Sequence, residues 1–158
     1  MSTELPTYRD RGARALVLLH EQQLPLFVQA WQRAKRAGVR LPQTDDQNYA
    51  SLEALAAHVL RGARGYMTWI CEHLDLPDPG IPPAPEPDAV EAQADAWVAE
   101  ALERWRAPLS DVAPERLGDR TYLSRWGQPY TIGAMLEHAV VHPMRHRLQL
   151  DELLERQA

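Results

Sequence analysis

The chain has 158 residues, 45% hydrophobic and 25% charged, the profile of one globular domain with a substantial core. Its formal net charge of −5 points away from nucleic acid and from anionic membranes as partners. A lone cysteine, Cys71, excludes an intrachain disulfide, no apolar run approaches the ~20 residues of a membrane span, and the opening residues offer no apolar core for a secretory leader, so a cytoplasmic protein is expected.

The first helix is predicted over Tyr8 to Ala37. Leu16, Leu19, Gln23, Phe27, Ala30 and Ala34 form its inward stripe, with Trp31 at the edge. Pro25 is expected to kink or divide it, Gly38 to close it, and Pro42 to follow as a stop. A second helix is predicted from about Thr44, where Thr44-Asp-Asp-Gln47 has the form of a capping box, to about Leu74. Leu52, Leu55, Ala56, Val59, Ala63, Tyr66 and Ile70 share its stripe. Six prolines between Pro77 and Pro87 make a non-helical spacer.

The third helix is predicted over Asp88 to Ala107, with Val90, Ala94, Trp97, Val98, Ala101 and Trp105 as its apolar positions. A loop from Leu109 to Asp119 follows, and then Thr121 to Tyr130, whose aromatic and β-branched residues around Gly127 predict a short hairpin. The fourth helix starts at Thr131, whose hydroxyl can cap it. The expected fold is all-α, an up-down-down-up four-helix bundle with a short hairpin or loop before the last helix, in a single domain over residues 1–158.

The last helix carries the most informative pattern. Ile132, Met135, Ala139, Leu150 and Leu153 lie on one face, and His142 and His146 fall at its centre, one turn apart. Two imidazoles at i, i+4 can converge on one ion. The bland alternative is a pair of hydrogen-bonded core histidines, but burying two neutral imidazoles without partners is costly. His58 sits at the edge of the second helix's apolar stripe, where a modest rotation aims it inward. Three histidines and one open position are the pattern of a catalytic divalent-metal site. His20 also borders the core, as a cavity-lining residue or a fourth ligand. His138 falls about 60° off the stripe, and His73 is expected at a frayed, solvated helix end. Trp31, Trp69, Trp97 and Trp105 read as core or interface residues, and Trp126 as cover for a pocket mouth.

The segment His138-Ala-Val-Val-His-Pro-Met-Arg-His-Arg-Leu-Gln149 resembles the final-helix signature of the DinB/YfiT-like metalloproteins, with histidines four apart followed by Arg, usually Gly, and Gln. Leu55-Ala-Ala-His58-Val-Leu-Arg61 is similar to the family's ligand-bearing stretch on the second helix, and the run Gly127 to Leu136 is similar as well. The resemblance implies a four-helix bundle, often dimeric, holding a divalent ion such as zinc or nickel on His58, His142 and His146. For some members it also implies transfer of a low-molecular-weight thiol (bacillithiol, mycothiol or glutathione) to an electrophile. Two positions depart from the pattern. Leu148 stands where the family usually has Gly, and Pro143 between the two histidines frees the carbonyl of Ala139 and is expected to bend the helix.

The leading expectation is therefore a divalent-metal-dependent enzyme that transfers a small thiol to an electrophilic substrate. Thiolate transfer ranks above metal-dependent hydrolysis because no general base stands beside the histidines: Glu53, Glu137 and Asp151 are on suitable helices, but Glu137 points outward. Cys71 as nucleophile ranks below both. The rivals are a non-catalytic metal- or ligand-binding stress-response bundle and a plain dimerisation module. A homodimer is expected because five tryptophans exceed what one small core needs.

Overall fold

A computed structural model describes residues 4–158. The reading of the opening residues as free of a leader rests partly on residues 1–3, which lie outside that range. The described chain is mostly helical, with four helices and one two-stranded sheet: α1 Arg11–Arg36, α2 Leu52–His73, α3 Val90–Trp105, β1 Tyr122–Leu123, β2 Pro129–Tyr130 and α4 Ile132–Gln157. No helix among the described residues is long and apolar enough to cross a membrane.

Helix α1 starts where Asp10 accepts a hydrogen bond from the Ala13 amide at 2.6 Å. It runs unbroken through Pro25, which neither divides nor ends it. Gly38, at φ +66°, closes it as expected: the Gly38 amide donates to Lys35 and that of Val39 to Ala34. Phe27, Ala30 and Ala34 of the predicted inward stripe are buried, but in the first half of the helix the stripe is turned from Leu16, Leu19 and Gln23. Ala13, Val17, His20, Leu24, Phe27, Trp31 and Ala34 are buried, whereas Leu19 is 42% exposed. The alternate spacing of three and four residues fits a seam between neighbouring helices. The run Ala15-Leu-Val-Leu-Leu19 has no polar contrast to set the phase, so packing sets it.

Helix α2 begins later than predicted, at Leu52, because Ser51 is its cap: the Ser51 hydroxyl accepts from the Ala54 amide at 3.0 Å. Thr44 and Asp46 instead cap local turns, accepting from the amides of Asp46 and Asn48, and Gln47–Tyr49 forms one 3-10 turn. The end near Leu74 is as expected. Asp75 adopts φ 54° there, and the amides of Asp75 and Leu76 return to Glu72 and Cys71.

The proline-rich spacer is non-helical and pinned. The Trp97 indole donates to the carbonyls of Pro82 and Pro83, and Arg64 donates to that of Ile81. Helix α3 is two residues shorter at each end than the predicted span. The hairpin forms as predicted, with Tyr122 opposite Tyr130, Leu123 opposite Pro129 and Gly127 at φ +86°. The Trp69 indole fastens it to α2 by donating to the Leu123 carbonyl at 3.1 Å. Thr131 caps α4 by accepting from Ala134, and the helix continues through Pro143.

Helix α1 packs on α4, α2 and α3, and α2 packs on α3 and α4. Lys35 near the end of α1 pairs with Glu53 on α2 and Glu91 on α3, while Arg33 pairs with Asp151 on α4 at 3.1 Å. Near the middle of α1, Glu21 pairs with Arg106 at 2.6 Å. Indole donors reach into the interior: Trp31 to the Leu52 carbonyl at 2.7 Å, and Trp105 to that of Ala63 at 3.0 Å. Trp31, Trp69, Trp97 and Trp105 are all buried within the chain itself.

Candidate metal centre

Helices α2 and α4 bring His58, His142 and His146 together. One ring nitrogen from each lies within 4.8 Å of the other two. His142 and His146 are buried and His58 is half-buried. The ring centroids stand 4.8 Å apart for His58–His142 and His142–His146 and 5.4 Å for His58–His146, all near-perpendicular. The i, i+4 spacing stacks the two α4 histidines one turn apart, and His58 meets them from across the α2–α4 seam.

The bonds around the trio suit a cation. His146 Nδ1 lies 2.9 Å from the Gln149 side-chain oxygen, an acceptor, so Nδ1 carries the proton and Nε2 keeps its lone pair. That buried Nε2 has no protein partner among the described residues. The Nε2 atoms of His58 and His142 face each other at 3.0 Å. Two lone pairs at that distance repel, so either a shared proton or a cation belongs between them. Protonating the group further is disfavoured. Burial, with neighbouring imidazoles and Arg145 adding to it, pushes His142 down to about 2. Burial likewise takes His146 to about 4 and lowers His58, the latter with help from Arg61. All three are neutral ligands at pH 7. Zinc at about 2.0–2.1 Å from each nitrogen needs nitrogen–nitrogen distances of roughly 3.3 Å. The His58–His142 pair has nearly that spacing, and the widest separation, 4.8 Å, closes with shifts of roughly 1.5 Å. The three imidazoles can therefore form a metal site.

The other histidines stay apart. His138 lies beside the trio, its ring 6.1 Å from that of His142, and packs against Tyr66, Trp126 and Tyr130. His20 neither joins the trio nor lines the cavity beside it. It is stacked on Trp105 at 3.7 Å with no partner for either ring nitrogen among the described residues, and burial lowers it to about 3. His73 is not frayed into solvent, because Trp69 and Tyr122 hold its ring at 4.5 and 4.6 Å.

No carboxylate of the three weighed as a base reaches the imidazoles. Glu53 is held by Lys35, Asp151 by Arg33, and Glu137 is exposed. Cys71 is buried and its thiol is pushed up to about 11, by burial first, which keeps it from being a nucleophile. Leu148 is 55% exposed, so no close helix contact depends on the residue there.

A cavity of about 230 Å³ opens beside His58. Tyr66, Trp69, Met135 and Trp126 wall it, so Trp126 stands at a pocket as its sequence position predicts. Burial raises the Tyr66 phenol to about 12 and keeps it a neutral donor.

Four residues support the trio in ways the sequence reading does not assign, although Gln149 stands in the final-helix signature and Tyr66 in the α2 stripe. Gln149 orients His146, and Tyr49 lies 3.4 Å from Gln149 and 5.9 Å from the His146 ring. Tyr66 packs edge-on to His142 at 5.5 Å. A Cβ on Gly62 would stand 3.0 Å from the His142 ring, so this glycine lets the imidazole lie against α2. A glycine inside a helix costs about 1 kcal/mol relative to alanine. One placed a turn after a candidate ligand is a signal that could have been used.

No family model matches the chain, and neither the curated proteins nor the solved structures contain a match.

Proposed function

We propose that the chain is a DinB-like metal-dependent enzyme that transfers a small thiol to an electrophilic carbon, built as an up-down-down-up four-helix bundle. The observation that carries the reading is the His146 nitrogen, held unprotonated by Gln149 and left partnerless beside two other neutral imidazoles. The ties from the end of α1 to the start of α2, the start of α3 and the end of α4 support the bundle order.

His58, His142 and His146 would hold the ion. A divalent cation held by neutral ligands keeps its charge and lowers the pKa of a bound thiol or water toward 7. The chain's own groups do the rest. Gln149 keeps the His146 lone pair directed, and Gly62 admits the His142 ring. Tyr66, Trp69 and Trp126 wall one side of the site, where a neutral Tyr66 hydroxyl can donate to an acceptor's leaving oxygen or halogen. The thiolate sulfur forms the new C–S bond, and the departing halide or opened epoxide oxygen takes the electron pair. Glu53, Glu137 and Asp151 do not reach the imidazoles, and Asp46, the carboxylate that acts on His58 and His146, is engaged with the Asn48 amide, which favours a nucleophile that needs no base and ranks transfer above hydrolysis.

The test is metal-dependent loss of a small thiol in the presence of a chlorinated aromatic or an epoxide. Loss in the wild type and in Cys71→Ser but not in His146→Ala supports transfer. Turnover of esters or amides with no thiol consumed replaces it with hydrolysis. Metal binding without either leaves a non-catalytic metal-binding bundle. A homodimer belongs to the same reading. Leu19 and Leu26 on α1 and Val141 and Leu148 on α4 are exposed apolar pairs, each seven residues apart. Sedimentation showing only a 17.9 kDa species at micromolar concentration would refute it.

A further inference from the structure

The cavity beside His58 has a chemistry that the imidazoles do not explain. Arg61 from α2 and Arg125 from the hairpin both line it, and no carboxylate does. Each forms a long, solvent-exposed ion pair outside the cavity lining: Glu86 stands 3.9 Å from Arg61 and Glu72 3.8 Å from Arg125. Exposed pairs at such distances add little and leave the guanidinium free to take a better partner. Gly65 makes room for one of them, since a Cβ there would lie 3.4 Å from Arg125 Nη1. A third cation, Arg145 on α4, acts on His58, Tyr66 and His142 and has no carboxylate partner among the described residues.

The opposite character comes from the rings. Trp126 is 47% exposed, an unusual state for an indole, and stands edge-on to Tyr66 at 6.2 Å. The two form an open aromatic corner next to the guanidinium groups. At about 230 Å³ the cavity falls below the roughly 300–1,000 Å³ of drug-sized pockets.

We propose that this cavity binds a small flat organic acid, a one- or two-ring arene carboxylate, with its ring against Trp126 and Tyr66 and its carboxylate on Arg61 and Arg125. Planar guanidinium groups match a carboxylate's two oxygens, and indole faces match an arene. The proposal rests on the reading above only for the ligand's role, as the acceptor presented to the thiol. Binding itself needs no metal.

Titration calorimetry with 2-naphthoate and its uncharged counterpart 2-naphthamide tests it, on protein with chelator and on protein with zinc. The expected result with chelator is a Kd for naphthoate below about 1 mM, with the amide at least about tenfold weaker. Arg61→Gln and Arg125→Gln are each expected to weaken naphthoate about fivefold to tenfold while leaving the amide unchanged. Trp126→Ala is expected to weaken both ligands alike. All three positions are on the surface, and melting curves matching the wild type show that the variants fold. Equal binding of acid and amide, or naphthoate affinity unchanged in the Arg61→Gln/Arg125→Gln double variant, overturns the proposal. So does naphthoate binding that appears only with zinc, an outcome that leaves the metal reading standing. A failure of zinc binding with arginine-dependent naphthoate binding intact would remove the metal reading and keep this one.

Discussion

Two regions of this molecule bury imidazole, and they do so in different ways. At His20 a single ring lies flat on Trp105, and among the described residues both its nitrogens are unpartnered and it joins no cluster of metal-ligating groups. At His58, His142 and His146 three rings meet edge to face, the Gln149 oxygen accepts from one ring nitrogen and so fixes its tautomer, and a cavity opens alongside. Burial lowers the proton affinity of both. Burial and a shifted pKa therefore do not distinguish a ligand from a filler. Convergence of lone pairs and an outer partner that fixes the tautomer do.

Removing the ion is expected to have the largest effect on this contrast. A ligand that binds only the native state adds about 4 kcal/mol at roughly 1,000-fold excess over Kd, or about 8–16 °C in Tm for a chain of this size. Thermal melts of zinc-loaded protein with and without chelator measure it. An unchanged Tm would make the trio the same kind of feature as His20.

Single substitutions come next. His58→Ala, His142→Ala and His146→Ala are each expected to abolish tight binding of zinc or nickel in calorimetric titration, at about one ion per chain in the wild type. His138→Ala and His20→Ala are expected to retain it. Full affinity in His142→Ala would dissolve the distinction between the two regions. Gln149→Leu sharpens it: loss of the outer partner is expected to weaken the metal about 10–100-fold without removing a ligand.

The smallest effect isolates His20. Its folded-state value is about 3, below the ordinary 6.5, so between those values the unfolded chain binds the extra proton. Its contribution is unimpaired above pH 6.5 and is lost as pH falls, at up to about 1.4 kcal/mol per pH unit. His20→Phe preserves a ring against Trp105 and removes that loss. Denaturant titrations from pH 7 to pH 4.5 are expected to show a slope shallower by one proton in the variant, with equal or greater stability at pH 7. An identical slope in both proteins would mean that His20 is not titrating as a buried base.

Much of this was legible from local chemistry. The Thr131 cap, the hairpin around Gly127 and the Gly38 terminus depend on residues within a few positions of one another, and sequence displays such relations directly. The facing of His58 toward His142 and His146 was legible too, because apolar residues bracket each on its own helix. The phase of α1 was legible over Phe27, Ala30 and Ala34 but not in its first half: an apolar run from Ala15 to Leu19 looks alike from several sides, and only the helices packing against it choose. The start of α2 was misplaced because Thr44, Asp46 and Ser51 are all good caps, and the first two serve turns. The role of Gln149, a residue the final-helix signature includes, and that of Gly62 were not legible because each acts on a side chain on another turn or another helix.

Lys35, the one lysine in the chain, has a practical consequence. It joins α1 to Glu53 and Glu91 on two other helices, and those carboxylates, Glu53 first, raise its pKa. An ammonium held in its charged form acylates slowly. The rate of amine labelling at this single peptide, followed by mass spectrometry, therefore reports how often the ammonium leaves Glu53 and Glu91. The protein carries its own site-specific clock for local opening, and no residue has to be changed to read it.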